Sequence, residues 1–233
     1  MSDGAFQPSD WKDIRLVVFD VDGTLYRQRP LRLRMARDLV LHAVTKAEFA
    51  PIAVLGKFRR IRERLGEERT DGFEATLIAE AAAASGRSPE AVQALVDDWI
   101  ETRPLPYLAA CRYDGVAELF EGLRRHGKTI GVLSDYPAEA KLAALGLAAD
   151  HVVTAGDPGV GILKPHPRGL QVLMDRAGVA PTATLLIGDR ADRDGVAARE
   201  AGARVLIRST RPIERSEERR VGKECRSRWS PYH

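Results

Sequence analysis

The sequence predicts an α/β protein with a doubly wound parallel sheet and one all-helical insertion. Three observations predict it. Five short apolar runs recur along the 233-residue chain. Segments of helical length separate them, so the strands join by crossovers and lie parallel, in a Rossmann-like core. A long helical stretch interrupts the alternation after the first run.

The first run, Arg15-Leu-Val-Val-Phe-Asp20, is apolar at every interior position and ends in a carboxylate. Strands buried on both faces read this way, because neither face alternates with polar residues. Similar runs occupy residues 129–133, 151–154, 184–187 and 204–207. Between them, Val116, Leu119, Phe120 and Leu123 recur at helical spacing, and Gly127 follows as a stop. Pro137 and Pro167 sit where first helical turns would begin, and Gly146, Gly178 and Gly202 close the segments they follow. Residues 28–105 read as helical throughout. Candidate helices cover 31–49 and 73–84, and Ser88-Pro89-Glu90 opens another as a cap followed by proline. Val92, Leu95, Val96 and Trp99 supply its buried face, and Pro104 and Pro106 are expected to end the region. The predicted organisation is therefore core (1–27), helical insertion (28–105), core (106–214) and a tail (215–233).

Composition is that of a soluble globular protein, 44% hydrophobic and 30% charged. No apolar stretch is long enough to cross a membrane, and the start of the chain lacks a signal-peptide pattern. Cys111 and Cys225 make no disulfide framework, which fits a cytoplasmic protein. The formal charge of +3 invites a nucleic-acid partner, but its location argues against one. Six basic and three acidic residues lie in 215–233, which leaves 30 of each sign elsewhere. That tail, Arg215 to His233, has no secondary-structure period and resembles a translated sequencing adapter. It is expected to be non-native, with the true C-terminus lost after about residue 214.

The chemistry concentrates in Phe19-Asp-Val-Asp-Gly-Thr-Leu25. Residues i and i+2 at a strand end project to one side, so Asp20 and Asp22 both face the crevice beyond the sheet, where open α/β folds bind ligands. Two close carboxylates repel unless a cation or proton relieves them, and a hard divalent cation such as Mg²⁺ is the natural relief. An isolated Asp-x-Asp is usually a solvated loop; this one ends an apolar strand and continues into Gly-Thr-Leu.

The run resembles the first signature of the haloacid dehalogenase-like (HAD) superfamily. Three further signatures follow in order: Leu133-Ser134-Asp135, Lys164-Pro165, and Ile187-Gly-Asp189-Arg-Ala-Asp192-Arg-Asp194. The resemblance covers residues 15–208 and is phosphoglycolate-phosphatase-like. It implies a Mg²⁺-dependent phosphatase acting on a small phosphorylated metabolite. Asp20 would be the nucleophile that forms an aspartyl-phosphate. Asp22 would act as general acid and then base, for which its pKa should be raised. Mg²⁺ would be held by Asp20, the Asp22 carbonyl and Asp189. Ser134 and Lys164 would bind the phosphoryl group, with Thr24 and Arg27 also on the substrate. Asp194 would support Lys164 or a metal-bound water, with Asp192 as its rival. Asp135 stands where many relatives have Asn, and its side chain is unassigned.

The helical insertion matches the superfamily's cap. Arg27, Arg29, Arg32 and Arg34 at its entrance, and Arg59, Arg60, Arg62, Arg64 and Arg69 further on, form either an electropositive gate or solvated helix faces. A phosphomutase of the beta-phosphoglucomutase type shares all four signatures, and a non-catalytic binding module is the remaining alternative. Asp22 argues against a dehalogenase, because relatives that cleave carbon–halogen bonds lack an acid there. Neither the phosphomonoester nor the oligomeric state is readable.

Overall fold

A computed structural model describes residues 11–208. The expected tail and the start of the chain lie outside the described residues. Five strands, β1 (Leu16–Phe19), β2 (Thr129–Ser134), β3 (His151–Thr154), β4 (Thr184–Gly188) and β5 (Arg204–Ile207), form one parallel sheet in the order β3-β2-β1-β4-β5. β1 is central, and Phe19 lies opposite Val132 of β2 and Ile187 of β4. This register brings the residues that follow all three strands to one edge of the sheet.

Helices cover both faces, as the continuous apolar strands require. Val17 and Phe19 pack with Phe120 and Leu123 of α6 (Val116–Arg125) and with Leu142 and Leu145 of α7 (Glu139–Leu145). Leu16 and Val18 pack oppositely, with Leu170, Leu173 and Met174 of α8 (Arg168–Ala177) and Ala198 of α9 (Val196–Glu200). Each of these Val, Leu, Phe and Met side chains, fully buried, contributes about 1.5–3 kcal/mol.

Among the described residues, five α-helices precede α6: α1 (Gln28–Lys46), α2 (Ala50–Glu67), α3 (Phe73–Ser85), α4 (Pro89–Val96), extended by a π-helical turn over Asp97–Thr102, and α5 (Leu105–Cys111). A separate apolar cluster gathers Leu55, Phe58, Phe73, Leu77, Val92 and Trp99. Ser88 caps α4 by accepting from Ala91 N at 3.2 Å.

Two local expectations change. The helix expected over 31–49 ends at Lys46, because Ala47 turns left-handed (φ 52°) and Pro51 opens α2. Pro104 and Pro106 do not end helical structure. They flank the first residue of α5, where a missing N–H leaves no helical bond unmade. Among the described residues, no helix is long and apolar enough to cross a membrane.

Candidate active site

The end of β1 places Asp20 in the sheet's crevice, buried to 6% exposure. Thr24 Oγ1 donates to Asp20 Oδ2 at 3.0 Å, and Lys164 Nζ donates to Oδ1 at 2.6 Å. The same ammonium donates to Asp194 Oδ1 at 2.7 Å. Carboxylate oxygens of Asp20, Asp189 and Asp194 lie within 4.8 Å of one another.

Glycine makes this crowding possible at two points. A Cβ at Gly23, whose φ is +101°, would lie 2.1 Å from Asp189 Oδ2. One at Gly188 would lie 2.4 Å from Asp194 Cγ. The backbone therefore approaches both carboxylates more closely than any side chain allows.

Burial pushes the Asp20 carboxyl up to about 8, with Lys164 opposing and Asp194 and Asp189 adding. Burial, with Asp194, pushes Asp189 up to about 6. Burial also works against the Lys164 ammonium, but Asp194 and Asp20 outweigh it and hold its pKa well above the ordinary lysine value. Three acids and one base thus share the site, which leaves two negative charges unrelieved when all three acids are ionised. Clustered carboxylate oxygens fit a hard divalent cation such as Mg²⁺.

Asp22 departs from expectation. Its carboxylate lies outside the three-acid cluster, and Lys141 Nζ donates to Oδ1 at 2.9 Å and to Oδ2 at 2.8 Å. The Tyr26 hydroxyl donates to Oδ1 as well. Burial raises the Asp22 carboxyl, but Lys141 and Tyr26 overturn that and the net pKa is lowered, not raised. In this arrangement Asp22 is therefore ionised, and the raised pKa expected of it on substrate arrival is not built into the protein's own contacts.

The other expected residues divide. Ser134, 1% exposed, accepts from Tyr136 N at 3.2 Å, which leaves its own proton to donate. Asp194 also accepts from Arg190 N, whereas Asp192 pairs with Arg190 at the exposed surface. Asp135 Oδ1 accepts from Lys164 N at 3.0 Å, tying the second and third signatures together. Thr24, expected on the substrate, donates to Asp20. Arg27, also expected there, pairs with Asp114 at 2.7 Å at the exposed surface and donates to the Arg112 carbonyl. Within the second arginine cluster, Arg64 pairs with Glu68 and Glu80, and Arg69 pairs with Glu200. Arg62 alone of these three faces the cleft. It lies 3.9 Å from the Tyr136 ring centroid and donates to the Asp135 carbonyl. A cavity of about 320 Å³ opens beside it, lined by Phe58, Glu74, Glu101, Tyr136 and Thr154.

Sequence reasoning missed Lys141, Tyr26 and Arg193. Arg193 donates to the Lys164 carbonyl at 2.5 Å and to the Glu63 carbonyl at 3.0 Å, and so joins α2 to the Lys164 backbone. A lysine on a helix after β2 carries no local mark; only its contact distinguishes it.

The haloacid dehalogenase-like hydrolase family profile matches residues 14–202. A phosphoglycolate phosphatase of Xylella fastidiosa (strain 9a5c) is 30% identical over 211 residues, which is 86% of this chain and 82% of that protein. One from Escherichia coli (strain K12) is 32% identical over 219 residues, 82% and 80% of the two chains. Among solved structures, a 2-haloacid dehalogenase from Pseudomonas syringae pv. Tomato DC3000 superposes with a TM-score of 0.59 at 25% identity, covering 87% of this chain and 91% of that one.

Proposed function

The chain belongs to the haloacid dehalogenase-like hydrolase family and is a phosphatase; we propose that it hydrolyses a small phosphomonoester through an aspartyl-phosphate on Asp20, with Mg²⁺ as cofactor. The observation that carries this reading is the buried Asp20 carboxylate, held by Thr24 and Lys164 beside Asp189 and Asp194. Two anchored oxygens fix its direction, which a nucleophile attacking phosphorus in line requires.

Asp20, Asp189 and the Asp22 carbonyl would hold the cation, which when bound offsets charge on the phosphoryl oxygens. Lys164 and Ser134 add donors to the same oxygens. Asp22 exchanges a proton with the leaving oxygen and then with water. Its ionised form is the one that activates water. An arriving dianionic phosphoryl group raises its pKa and favours the protonated form that the first step needs. Asp194 keeps Lys164 charged and in place.

Phosphoglycolate, the substrate in the relatives' names, is the first compound to test within a screen of phosphorylated metabolites. Asp20→Asn is expected to abolish Mg²⁺-dependent phosphate release from an aryl phosphate, a loss of at least about 10³-fold, with the fold retained by circular dichroism. Undiminished turnover in that variant would sink the mechanism. Isomerisation of a sugar phosphate with little free phosphate would point to a mutase instead.

A further inference from the structure

Four carboxylates gather where β1 and β4 end, and two buried lysines divide them. Lys164 bridges Asp20 and Asp194. Lys141 grips Asp22 through both carboxylate oxygens, and the Tyr26 hydroxyl adds a third bond. Two-point contact fixes the rotation of a carboxylate that one bond leaves free. The distinction matters because carboxylate oxygens are the natural ligands of a hard cation. Without that grip, a cation held by the three-acid cluster would draw in the Asp22 carboxylate, which lies two residues from Asp20.

We propose that Lys141, assisted by Tyr26, is a positioning residue that holds the Asp22 carboxylate on the leaving-group side of the site and out of the cation cluster. The proposal rests on the phosphatase reading above. Lys141 is 6% exposed, with its ammonium 5.1 Å from the Tyr136 ring centroid. Desolvation offsets most of what a buried ion pair contributes to stability, so stability alone is a weak reason for this one. Its place in the chain fits a positioning role. α7 follows β2 through residues 135–138, so Ser134, the proposed phosphoryl donor, and Lys141, which grips Asp22, flank one short connection.

The test is a double-mutant cycle at Lys141 and Asp22 in the full chain. It is read as kcat/KM, which reports P–O cleavage but not the later hydrolysis of the aspartyl-phosphate. One substrate is the alkyl phosphate turned over fastest in the metabolite screen; the other is para-nitrophenyl phosphate, whose leaving group needs no proton. Lys141→Met is expected to lower kcat/KM roughly 30-fold for the alkyl phosphate and no more than about threefold for the aryl phosphate. Adding it to Asp22→Asn should change kcat/KM by less than about threefold, because the two act as one unit. Lys141→Arg should recover part of the loss. Equal losses on both substrates, or losses that multiply in the double variant, overturn the proposal. If Lys141→Met does not fold, Tyr26→Phe decides, since it removes one hydroxyl. An alkyl-selective loss supports the grip, and an equal or absent loss overturns it. A wild-type protein that releases phosphate from neither substrate overturns the phosphatase reading itself, and this proposal with it.

Discussion

At Gly188 a methyl group would lie 2.4 Å from Asp194 Cγ, and Asp194 is one of the two carboxylates that hold Lys164. Gly188→Ala is therefore expected to push Asp194 off the lysine. Overpacking of this kind destabilises by about 1–3 kcal/mol. Activity on an aryl phosphate should fall further than the melting temperature suggests, and a fully active variant would show that Asp194 can be displaced harmlessly. At this scale, legibility followed position relative to a strand. Asp20, Ser134 and Asp189 stand at or just beyond the ends of apolar strands, so a local pattern exposed them. Thr24 and Arg27 were recognisable as donors, but their acceptors were not. Asp20 lies one turn back from Thr24, while Asp114 lies 87 residues from Arg27. Lys141 meets Asp22 across 119 residues, a pairing that no spacing rule could anticipate.

Among the elements, α2 reaches two of the signature loops, through Arg62 on the Asp135 carbonyl and through Glu63. Glu63 on α2 pairs with Arg190 at 2.7 Å and with Arg193 at 3.1 Å, on the π-helical turn over Ala191–Gly195 that also carries Asp194. The Arg190 hydrogen bond, against a smaller effect of burial, holds the Glu63 carboxyl below its ordinary value. Arg193 is buried, so removing its carboxylate partner leaves a cation with carbonyls alone. Glu63→Ala should destabilise by about 1–2 kcal/mol, discounted because Glu63 is half-exposed. It should also lower kcat by loosening the turn beneath Asp194. Thermal unfolding and steady-state kinetics check the two effects together, and unchanged kcat would confine Glu63 to stability. Helical character over 28–105 was legible because apolar spacing and a Ser-Pro cap are local. Its exact breaks were not. Proline at 51, 104 and 106 marks either a stop or a first turn, and neighbouring packing decides which.

For the whole molecule, the raised carboxyls make cation binding a matter of proton release. Metal-free, Asp20 and Asp189 keep protons in the folded state that the unfolded chain gives up above the ordinary aspartate value of 3.8. Their contribution to stability therefore falls as pH rises from about 4, through about 6 for Asp189, to about 8 for Asp20. The lowered Asp22 and the raised Lys164 titrate outside that window and leave its direction unchanged. A cation that displaces those protons binds better as they leave. Millimolar Mg²⁺ should accordingly raise the melting temperature more at about pH 8 than at about pH 5. Equal shifts at both values would count against this cluster as the cation site. By itself the sequence determined the parallel sheet, the helical insertion and the order of the four signatures, because each rests on burial and periodicity within a few residues. Tertiary structure alone decided which charges meet: Lys141 on Asp22, Arg193 between Glu63 and the Lys164 carbonyl, Arg27 on Asp114. The physical reason is that a charged side chain on a helix looks alike wherever it falls. Its role comes from the distant group that the fold brings within 3 Å of it.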